Sequence, residues 1–307
     1  MLASLRHTLQ GIVALLVISM STIVLTVVLF FMALVKFLLP KGRPRHAMSR
    51  ALARLAEFWS SINRAVTGLY RSLEWDVSLP KGVDREGRYL IFSNHQSWVD
   101  IVVLQHNLNR RAPFMRFLMK QQLIWVPFLG FAWWALDNAF LKRYSRERLL
   151  KDPTLRGKDL ENTARACEKL KYIPVSMMTF PEGTRFTAEK WREQGSPYKH
   201  LLRPRYGGVG QVLYSFDEAL DGLLDTTVVY PHGVPTIWDL LSGRVRKVIM
   251  RVRLLPIPDG LRGVNFREDT EARGGLKKWV NDIWAEKDAF ITYALGMEAT
   301  EPDTVST

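Results

Sequence analysis

A histidine and an aspartate lie five residues apart, just after a short apolar run. Tyr89 to Phe92 is typical of a buried strand, and His95 and Asp100 follow it. On a continuous helix the two side chains would diverge by roughly 140°, since each residue advances about 100°. They can meet only if His95 lies on the turn before the helix. A carboxylate that holds one imidazole nitrogen fixes the tautomer, so the other nitrogen can accept a proton from a hydroxyl. The alternative is that His95 only caps the N-terminus of the helix and that Asp100 interacts favourably with the helix dipole in the first turn.

A second charged turn follows another apolar strand, which we predict over residues 173–180. Glu182, Gly183, Thr184 and Arg185 form this turn. Gly183 permits a tight backbone turn, Thr184 offers a hydroxyl, and the Arg185 guanidinium offers a fork of donors that matches a phosphate. Alone, the turn would be a solvated surface feature. Together, the two turns supply a base and a phosphate clamp at two strand ends.

Strands and helices alternate along the rest of the chain after residue 73. Apolar or alternating runs predict further strands over residues 74–79, 226–230 and 244–254, with helical periodicity between them. This alternation argues for an α/β fold with a mixed, mainly parallel sheet flanked by helices, whose sites lie at strand-to-helix turns. Residues 186–206 are polar and basic, and we expect them to form a long surface loop.

The N-terminal segment has the composition of a membrane helix. No residue from Gly11 to Val35 is charged. About 25 residues at about 1.5 Å each make a helix longer than the ~30 Å hydrocarbon core. The run continues into basic residues and not into a small-residue cleavage site, which argues against a removable signal peptide. A second helix has an apolar stripe and an arginine-bearing face, so it lies on the membrane surface, packs on the following domain, or does both.

These patterns divide the chain into three predicted regions. Residues 1–73 form a membrane anchor with an apolar helix over 11–39 and the amphipathic helix over 47–73, residues 74–297 form the catalytic domain, and residues 298–307 form a frayed tail. Basic residues lie mostly after the apolar run. The positive-inside rule therefore places the catalytic domain on the cytoplasmic face of the inner membrane.

The formal net charge of +13 implies an anionic partner. The anchor favours anionic membrane lipids over a nucleic acid, and the strand over residues 244–254, which alternates basic with apolar residues, faces either lipid headgroups or solvent. The single cysteine, Cys167, excludes an internal disulfide and fits a reducing compartment. Its helical surroundings predict a buried structural thiol, not a catalytic one. His106, His200 and His232 lack metal-ligand spacing, so we expect no metal site.

The charged turns resemble the signature blocks of a known family. Residues Asn94 to Asp100 and Phe180 to Arg185 are similar to the first and third blocks of the glycerolipid acyltransferase family, which contains the 1-acyl-sn-glycerol-3-phosphate acyltransferases. Between them, Lys120 to Gly130 resembles the family's Lys-x-x-Leu…Pro-x-x-Gly segment, and Phe140 to Arg143 resembles its aromatic residue followed by arginine. Val234-Pro235 resembles the fourth block more weakly.

This resemblance implies a glycerol-3-phosphate acyltransferase-like fold and acyl transfer without an acyl-enzyme. His95 would deprotonate the free hydroxyl of a lysophospholipid acceptor, which attacks the thioester of acyl-CoA or acyl carrier protein, and Asp100 would orient the imidazole. No cofactor is expected beyond this donor substrate. The resemblance also implies a site for the acceptor phosphate, with Arg185, Lys120 and Arg143 as ligands and with Glu182, Gly183 and Thr184 around them.

Two features differ from a compact member of the family. Residues 144–171 lengthen the gap between the first and third blocks, and a long loop over residues 186–204 follows the third. Both resemble a branch that includes eukaryotic lysocardiolipin and lysophosphatidylinositol acyltransferases and accessory bacterial lysophosphatidate enzymes. The first hypothesis is acylation of 1-acyl-glycerol 3-phosphate to phosphatidic acid. The alternatives are acylation of another lysophospholipid or of glycerol 3-phosphate, and a non-catalytic membrane protein that binds lipid.

Overall fold

The computed structural model of the chain describes residues 2–68, 73–126, 129–141 and 155–300. Arg143 and Pro127 therefore lie outside the described residues. The described strands are β1 Glu74–Ser78, β2 Arg88–Ser93, β3 Met115–Lys120, β4 Ala139–Leu141, β5 Val175–Thr179, β6 Gly222–Val229 and β7 Lys247–Leu255.

Within the described residues, these strands form one seven-stranded sheet in the order β1-β7-β6-β2-β5-β3-β4. The neighbouring strands from β6 to β4 are all parallel, β7 is antiparallel to β6, and β1 is parallel to β7. The expected mixed, mainly parallel sheet is confirmed. Because β2 is parallel to both β5 and β6, the carboxyl ends of these three strands lie at one edge. Both charged turns begin there.

Helices cover the two faces of the sheet. The described helices are α1 Leu2–Leu38, α2 Arg43–Gly68, α3 Val99–Leu108, α4 Leu129–Ala135, α5 Leu155–Glu168, α6 Ala188–Gln194, α7 Tyr206–Phe216, α8 Ile237–Leu241 and α9 Thr270–Thr300. Short 3-10 turns lie at Gln121–Trp125, Lys169–Tyr172, Asp217–Ala219 and Asp259–Leu261.

The central strand β2 shows why two layers of helices are needed. Leu90 and Phe92 enter one core with residues of α5, α7 and α9, whereas Tyr89 and Ile91 enter the opposite core with residues of α3 and α8. Successive side chains of a strand point to opposite faces, so a run that is apolar at every position is buried on both. This double burial makes β2 a rigid support for the turn that follows it.

Several element boundaries differ from the sequence expectations. Helix α1 begins at Leu2, earlier than residue 11, and α9 continues to Thr300, into the predicted tail. Residues 186–206 are not only a surface loop, because they contain α6 and because Leu201 and Leu202 are fully buried. The polar composition of this segment concealed the two leucines that fix it to the core.

Helix α1 contacts the rest of the chain near both of its ends. His7 Nδ1 lies 2.8 Å from the Ser242 carbonyl oxygen just beyond α8, and Lys36 Nζ donates to the Asp137 carboxylate over 2.6 Å. A Cβ added at Gly11 would lie 2.7 Å from the Trp238 ring, so glycine permits the close approach of α1 to α8. One side of α1 therefore lies along the domain.

The opposite side of α1 is apolar and exposed. Of the described helices, Ser4–Leu38 is long and apolar enough to cross a membrane by length and composition, and little of it is buried within the protein. The contrast follows from residue size. Small residues such as Ala14 and Ala33 face the domain and are buried, whereas Leu16 and Phe31 point outward. An exposed apolar surface of this extent is typical of a surface that contacts lipid or another protein.

The arginines of strand β7 contact other groups of the protein. Arg253 Nη2 lies 2.7 Å from the buried Asp225 carboxylate, and the same guanidinium pairs with Glu286 of α9. Arg251 lies over the Phe290 ring at 4.6 Å. Both side chains thus contact α9, Arg253 through an ion pair and Arg251 through the Phe290 ring, while Arg251 remains exposed.

Candidate active site

His95 lies on the turn between β2 and α3, outside the helix. Its Nδ1 is 2.9 Å from Asp100 Oδ2, although the two residues are five positions apart in the chain. Helix α3 begins at Val99, so Asp100 lies in its first turn while His95 precedes it. This is the arrangement that the five-residue spacing requires if the two side chains are to meet, with His95 on the turn and Asp100 in the helix.

The Asp100 carboxylate is fixed by further hydrogen bonds. The backbone amides of Gln96 and Ser97 donate to Oδ2 over 2.6 and 2.9 Å, and the Tyr230 hydroxyl donates to Oδ1 over 2.7 Å. Burial, and then the Asp100 carboxylate, raise the pKa of the Tyr230 hydroxyl well above its ordinary value, so it remains a donor. A carboxylate with both oxygens held in this way has one orientation available toward His95.

The imidazole of His95 is held from its face as well as its edge. Its ring stacks on Phe180 with centroids 3.9 Å apart and an interplanar angle of 17°. The side chain is 13% exposed and lines a cleft of about 620 Å³. Because Nδ1 is engaged by Asp100, Nε2 is the nitrogen left to face a substrate.

The Glu182 carboxylate connects the two turns through hydrogen bonds to backbone amides. Its Oε1 accepts a hydrogen bond from the His95 amide over 2.8 Å, and Oε2 accepts one from the Leu202 amide over 2.9 Å. Burial raises the pKa of the Glu182 carboxyl to about 7, although these two amides favour the charged form. Since both oxygens accept from the backbone, Glu182 shapes the turns and does not line the cleft as a ligand. The sequence places Glu182 around the phosphate ligands, and its part in shaping that pocket remains a prediction.

The remaining residues of the second turn line the cleft. Gly183 has φ +69°, and a Cβ there would lie 3.0 Å from the Arg205 side chain, so the turn requires glycine. Thr184 Oγ1 accepts a hydrogen bond from Lys190 Nζ over 2.8 Å. The Arg185 guanidinium lies over the Trp98 ring at 5.2 Å. Gly183, Thr184, Arg185 and Arg205 share this cleft with His95.

The other two predicted phosphate ligands are less defined. Lys120 is the last residue of β3, which pairs with β5, the strand that leads into the second turn. Arg143 lies outside the described residues. Their roles remain predictions.

Asn94 and Ser97 attach the first turn to its neighbours, a role that the sequence did not reveal. The Asn94 side chain donates from Nδ2 to the Val228 carbonyl over 2.8 Å and accepts at Oδ1 from the Val228 backbone N–H over 2.9 Å. It therefore extends the hydrogen bonding between β2 and β6. Ser97 Oγ donates to the Pro235 carbonyl over 2.5 Å. Tyr230, which directly follows β6, could have been suspected, because strands β6 and β2 end together at the same edge.

The other candidate groups lie away from this cleft. His106 is buried and stacks on Trp75 with ring centroids 4.2 Å apart, and burial lowers the pKa of its imidazole to about 4. The predicted buried thiol of Cys167 is confirmed, and burial raises its pKa to about 12. No group of three or more metal-ligating side chains occurs within the described part of the chain.

Residues 74–234, just over half of the chain, match the family model described as Acyltransferase. The chain belongs to this acyltransferase family. The match begins at β1 and extends beyond Tyr230, so it includes both charged turns. The resemblance inferred from the two turns is thereby confirmed.

Named relatives in this family include lipid acyltransferases. The chain is 24% identical over 264 residues to the 1-acyl-sn-glycerol-3-phosphate acyltransferase delta of Homo sapiens, covering 81% of this chain and 62% of the relative. It is 28% identical over 235 residues to the epsilon enzyme of Mus musculus, covering 69% and 59%. It is 22% identical over 262 residues to the 2-acyl-1-lysophosphatidylinositol acyltransferase of Saccharomyces cerevisiae, covering 69% and 63%. The chain thus spans about 60% of the length of these curated relatives.

A solved acyltransferase has a similar fold. The crystal structure of the 1-acyl-sn-glycerophosphate acyltransferase PlsC from Thermotoga maritima matches with a TM-score of 0.51 over 92% of this chain and 98% of that chain, at 16% sequence identity.

Proposed function

We propose that this acyltransferase is membrane-bound and transfers a fatty acyl group from acyl-CoA or acyl carrier protein to the free hydroxyl of 1-acyl-glycerol 3-phosphate, which gives phosphatidic acid. The observation that carries the proposal is the contact of His95 with the buried Asp100, in a cleft that His95 shares with Arg185. A fixed imidazole and a guanidinium in the same cleft suit an acceptor that carries both a hydroxyl and a phosphate.

His95 acts as the general base in this reaction. Nε2 accepts the proton of the acceptor hydroxyl while its oxygen attacks the thioester carbonyl carbon, and Asp100 stabilises the imidazolium through Nδ1. The carbon–sulfur bond then breaks, and the thiolate leaves with the proton from the imidazolium. The chain needs no covalent acyl intermediate. Arg185, with Arg205, Lys120 and Arg143 as candidates, binds the phosphate of the acceptor.

An apolar cavity offers a place for an acyl chain. It has a volume of about 160 Å³, lies between α1, α2, α3 and α4, and shares Phe117 with the catalytic cleft. Its lining includes Leu25 and Leu29 of α1 and Trp59 of α2. A hydrocarbon chain that extends from the cleft into this cavity would bury apolar surface, and each Å² removed from water would stabilise the bound substrate by about 25 cal/mol.

The exposed side of α1 supports attachment of the protein to the inner membrane, with the catalytic domain on the cytoplasmic face. The basic residues that follow α1 favour this orientation. Both ends of α1 contact the domain, so the helix lies beside it and does not lead away from it. We therefore favour insertion of α1 into one leaflet over a full span.

The test of this proposal is an acceptor panel with the purified full chain. Oleoyl-CoA is supplied with 1-acyl-glycerol 3-phosphate, lysophosphatidylinositol, monolysocardiolipin or glycerol 3-phosphate, and release of free CoA gives kcat/KM for each. The proposal expects the highest value for 1-acyl-glycerol 3-phosphate. It fails if no acceptor releases CoA above the rate of thioester hydrolysis.

A different lysophospholipid is the second candidate acceptor. The similarity to the yeast 2-acyl-1-lysophosphatidylinositol acyltransferase is the observation that favours it. The same panel decides between the two, because a phosphodiester acceptor would then exceed the phosphomonoester in kcat/KM. A non-catalytic lipid-binding protein would release no CoA with any of them.

A further inference from the structure

A second large cavity lies where α1 ends. It has a volume of about 670 Å³ and is lined by residues from the end of α1, the start of α2, the segment after α4 and the end of α5. None of its described lining residues also lines the catalytic cleft. We name it the basic cavity, after the cations Lys36, Lys41, Arg45, Arg165 and Lys169 that line it together with His46.

Part of this positive charge is used within the protein. Asp137 accepts from Lys36 over 2.6 Å and from Lys169 over 3.1 Å. Burial alone would raise the pKa of the Asp137 carboxyl, but Lys169 and Lys36 lower it to about 2. Arg45 donates to the carbonyl oxygens of Lys36 and Phe37 over 3.3 and 3.0 Å, so it offsets the negative end of the α1 dipole.

Lys41 and Arg165 are the two other cations of the basic cavity. Glu168, the second carboxylate of its lining, lies 3.3 Å from Lys171 and accepts from the Tyr172 hydroxyl. Within the described ranges, no carboxylate lies at ion-pair distance from Lys41 or Arg165. A cavity lined by two such cations attracts an anion.

The position of the basic cavity relates it to the lipid surface. Phe37 and Leu38, the last residues of α1, are 67% and 81% exposed, and Lys41 follows after one turn. His46 closes one side by stacking on Tyr172, with ring centroids 5.8 Å apart and an interplanar angle of 6°. Basic residues at the end of a membrane helix lie at the level of the lipid headgroups, so cations in this position can contact lipid phosphates.

We propose that the basic cavity binds the phosphate headgroup of an anionic membrane phospholipid, at a site separate from the catalytic cleft. Lys41 and Arg165 contact the phosphate oxygens, and the acyl chains of the lipid lie against the exposed end of α1. A zwitterionic lipid is a poorer ligand, because its own cation competes with these two side chains. The site does not depend on acyl transfer.

Vesicle binding of the full chain tests this site. Wild-type protein is compared with Lys41→Glu/Arg165→Glu on phosphatidylcholine vesicles with and without phosphatidic acid. We expect the double variant to bind the anionic vesicles about 10- to 30-fold more weakly, at about 1 kcal/mol per membrane-adjacent cation. Binding to pure phosphatidylcholine should not change, since α1 is intact. Equal binding of the variant and wild type to the anionic vesicles would overturn the proposal.

A matched control distinguishes a cavity from a diffuse basic surface. Arg50→Glu/Arg54→Glu makes the same change in charge on an exposed face of α2, outside the basic cavity. Because Arg50 and Arg54 lie outside the basic cavity and act on the anionic surface only through the salt-screened field, the loss should be about two- to threefold. A loss as large as that of the cavity variant would overturn the proposal. The neutral pair Lys41→Ala/Arg165→Ala, with the wild-type melting temperature, should show an intermediate loss if the cavity variant folds poorly.

Two further measurements identify the source of the phosphate and distinguish failure of this site from failure of the proposed acyl transfer. Glycerol 3-phosphate as a soluble competitor should not displace wild-type protein from anionic vesicles, and displacement of wild type but not of the cavity variant would assign the basic cavity to a free phosphomonoester instead. In neutral detergent micelles the cavity variant should release CoA at the wild-type rate. If wild type releases none while the vesicle results hold, the acyl-transfer proposal fails and the headgroup site stands.

Discussion

The catalytic cleft and the basic cavity are of similar size, about 620 and 670 Å³, but their charged groups are held very differently. In the cleft, His95 and Asp100 are fixed by hydrogen bonds and ring stacking, and Asp100 is 1% exposed. In the basic cavity, Lys41 and Arg165 are exposed cations on long side chains. The two proposals require this difference, because a site that positions a proton acceptor needs fixed groups, whereas a site that attracts an anion tolerates varied geometry.

Asp100→Asn gives the largest effect that this comparison predicts. The amide cannot accept from Gln96, Ser97 and Tyr230 while it holds His95 Nδ1 as the carboxylate does, so kcat should fall by about 10²- to 10⁴-fold. Binding to anionic vesicles should not change. Steady-state CoA release and vesicle sedimentation measure the two quantities. A parallel loss of both would remove the distinction between the two sites.

This prediction depends on a contact that the sequence revealed only in part. The five-residue spacing and the end of an apolar strand showed that His95 must lie on the turn to reach Asp100, and the parallel sheet followed from alternating patterns. Tyr230 is 130 residues from Asp100, so their hydrogen bond depends on β2 and β6 being neighbours. Strand order is set by the packing of the whole sheet, which no local pattern encodes.

The hydrogen-bond partners of Glu182 were not predicted, for a related reason. A glutamate in a charged turn next to glycine has the composition of a solvated surface, and the two backbone amides that bind it belong to His95 and Leu202. Burial of Leu202 could not be read from the basic segment that contains it. The pairing of Lys36 with Asp137 is similarly long-range, and it connects two segments that the sequence assigned to different regions.

Glu182→Gln should affect the stability of the cleft next most strongly. A glutamine amide offers only one acceptor, so one buried backbone N–H loses its partner at a cost of about 1–3 kcal/mol. Urea unfolding at pH 5 and 7 measures this loss. A variant as stable as wild type at both values would show that Glu182 does not connect the turns.

The raised pKa of Glu182 also predicts that the stability of the protein falls as the pH rises. The pKa of Glu182 is raised from 4.5 to about 7, so between these values the folded protein binds more protons than the unfolded chain. Its contribution to stability is therefore present below pH 4.5 and is lost as the pH rises toward 7. Because glutamine does not titrate, Glu182→Gln should lack this part of the slope. An identical slope in both proteins would contradict the prediction.

Arg185→Ala should change substrate binding more than turnover. Loss of one charge-assisted hydrogen bond to phosphate, at about 1.5–3 kcal/mol, predicts at least a tenfold rise in KM for the acceptor. KM for acyl-CoA and binding to anionic vesicles should change little. If instead KM for acyl-CoA rises and KM for the acceptor does not, Arg185 binds the donor, and the acceptor site has been placed wrongly.

The smallest effect is expected at Cys167, on the same helix as Arg165. Since its buried thiol has a pKa of about 12, iodoacetamide at pH 8 should leave it unmodified in the folded protein and modify it in urea. Intact mass measures both. Rapid modification of the folded protein would show that α5 opens, which would weaken the description of the basic cavity as a preformed site.

The central claim is that His95 is the base in a cleft whose geometry is fixed. The most direct test is release of CoA from oleoyl-CoA by His95→Ala, with the acceptor preferred by wild type and with His232→Ala as a control, since His232 is exposed beyond β6. At wild-type stability, kcat of His95→Ala should fall by at least about 100-fold, and His232→Ala should keep wild-type turnover. Wild-type turnover in a folded His95→Ala protein would contradict the account.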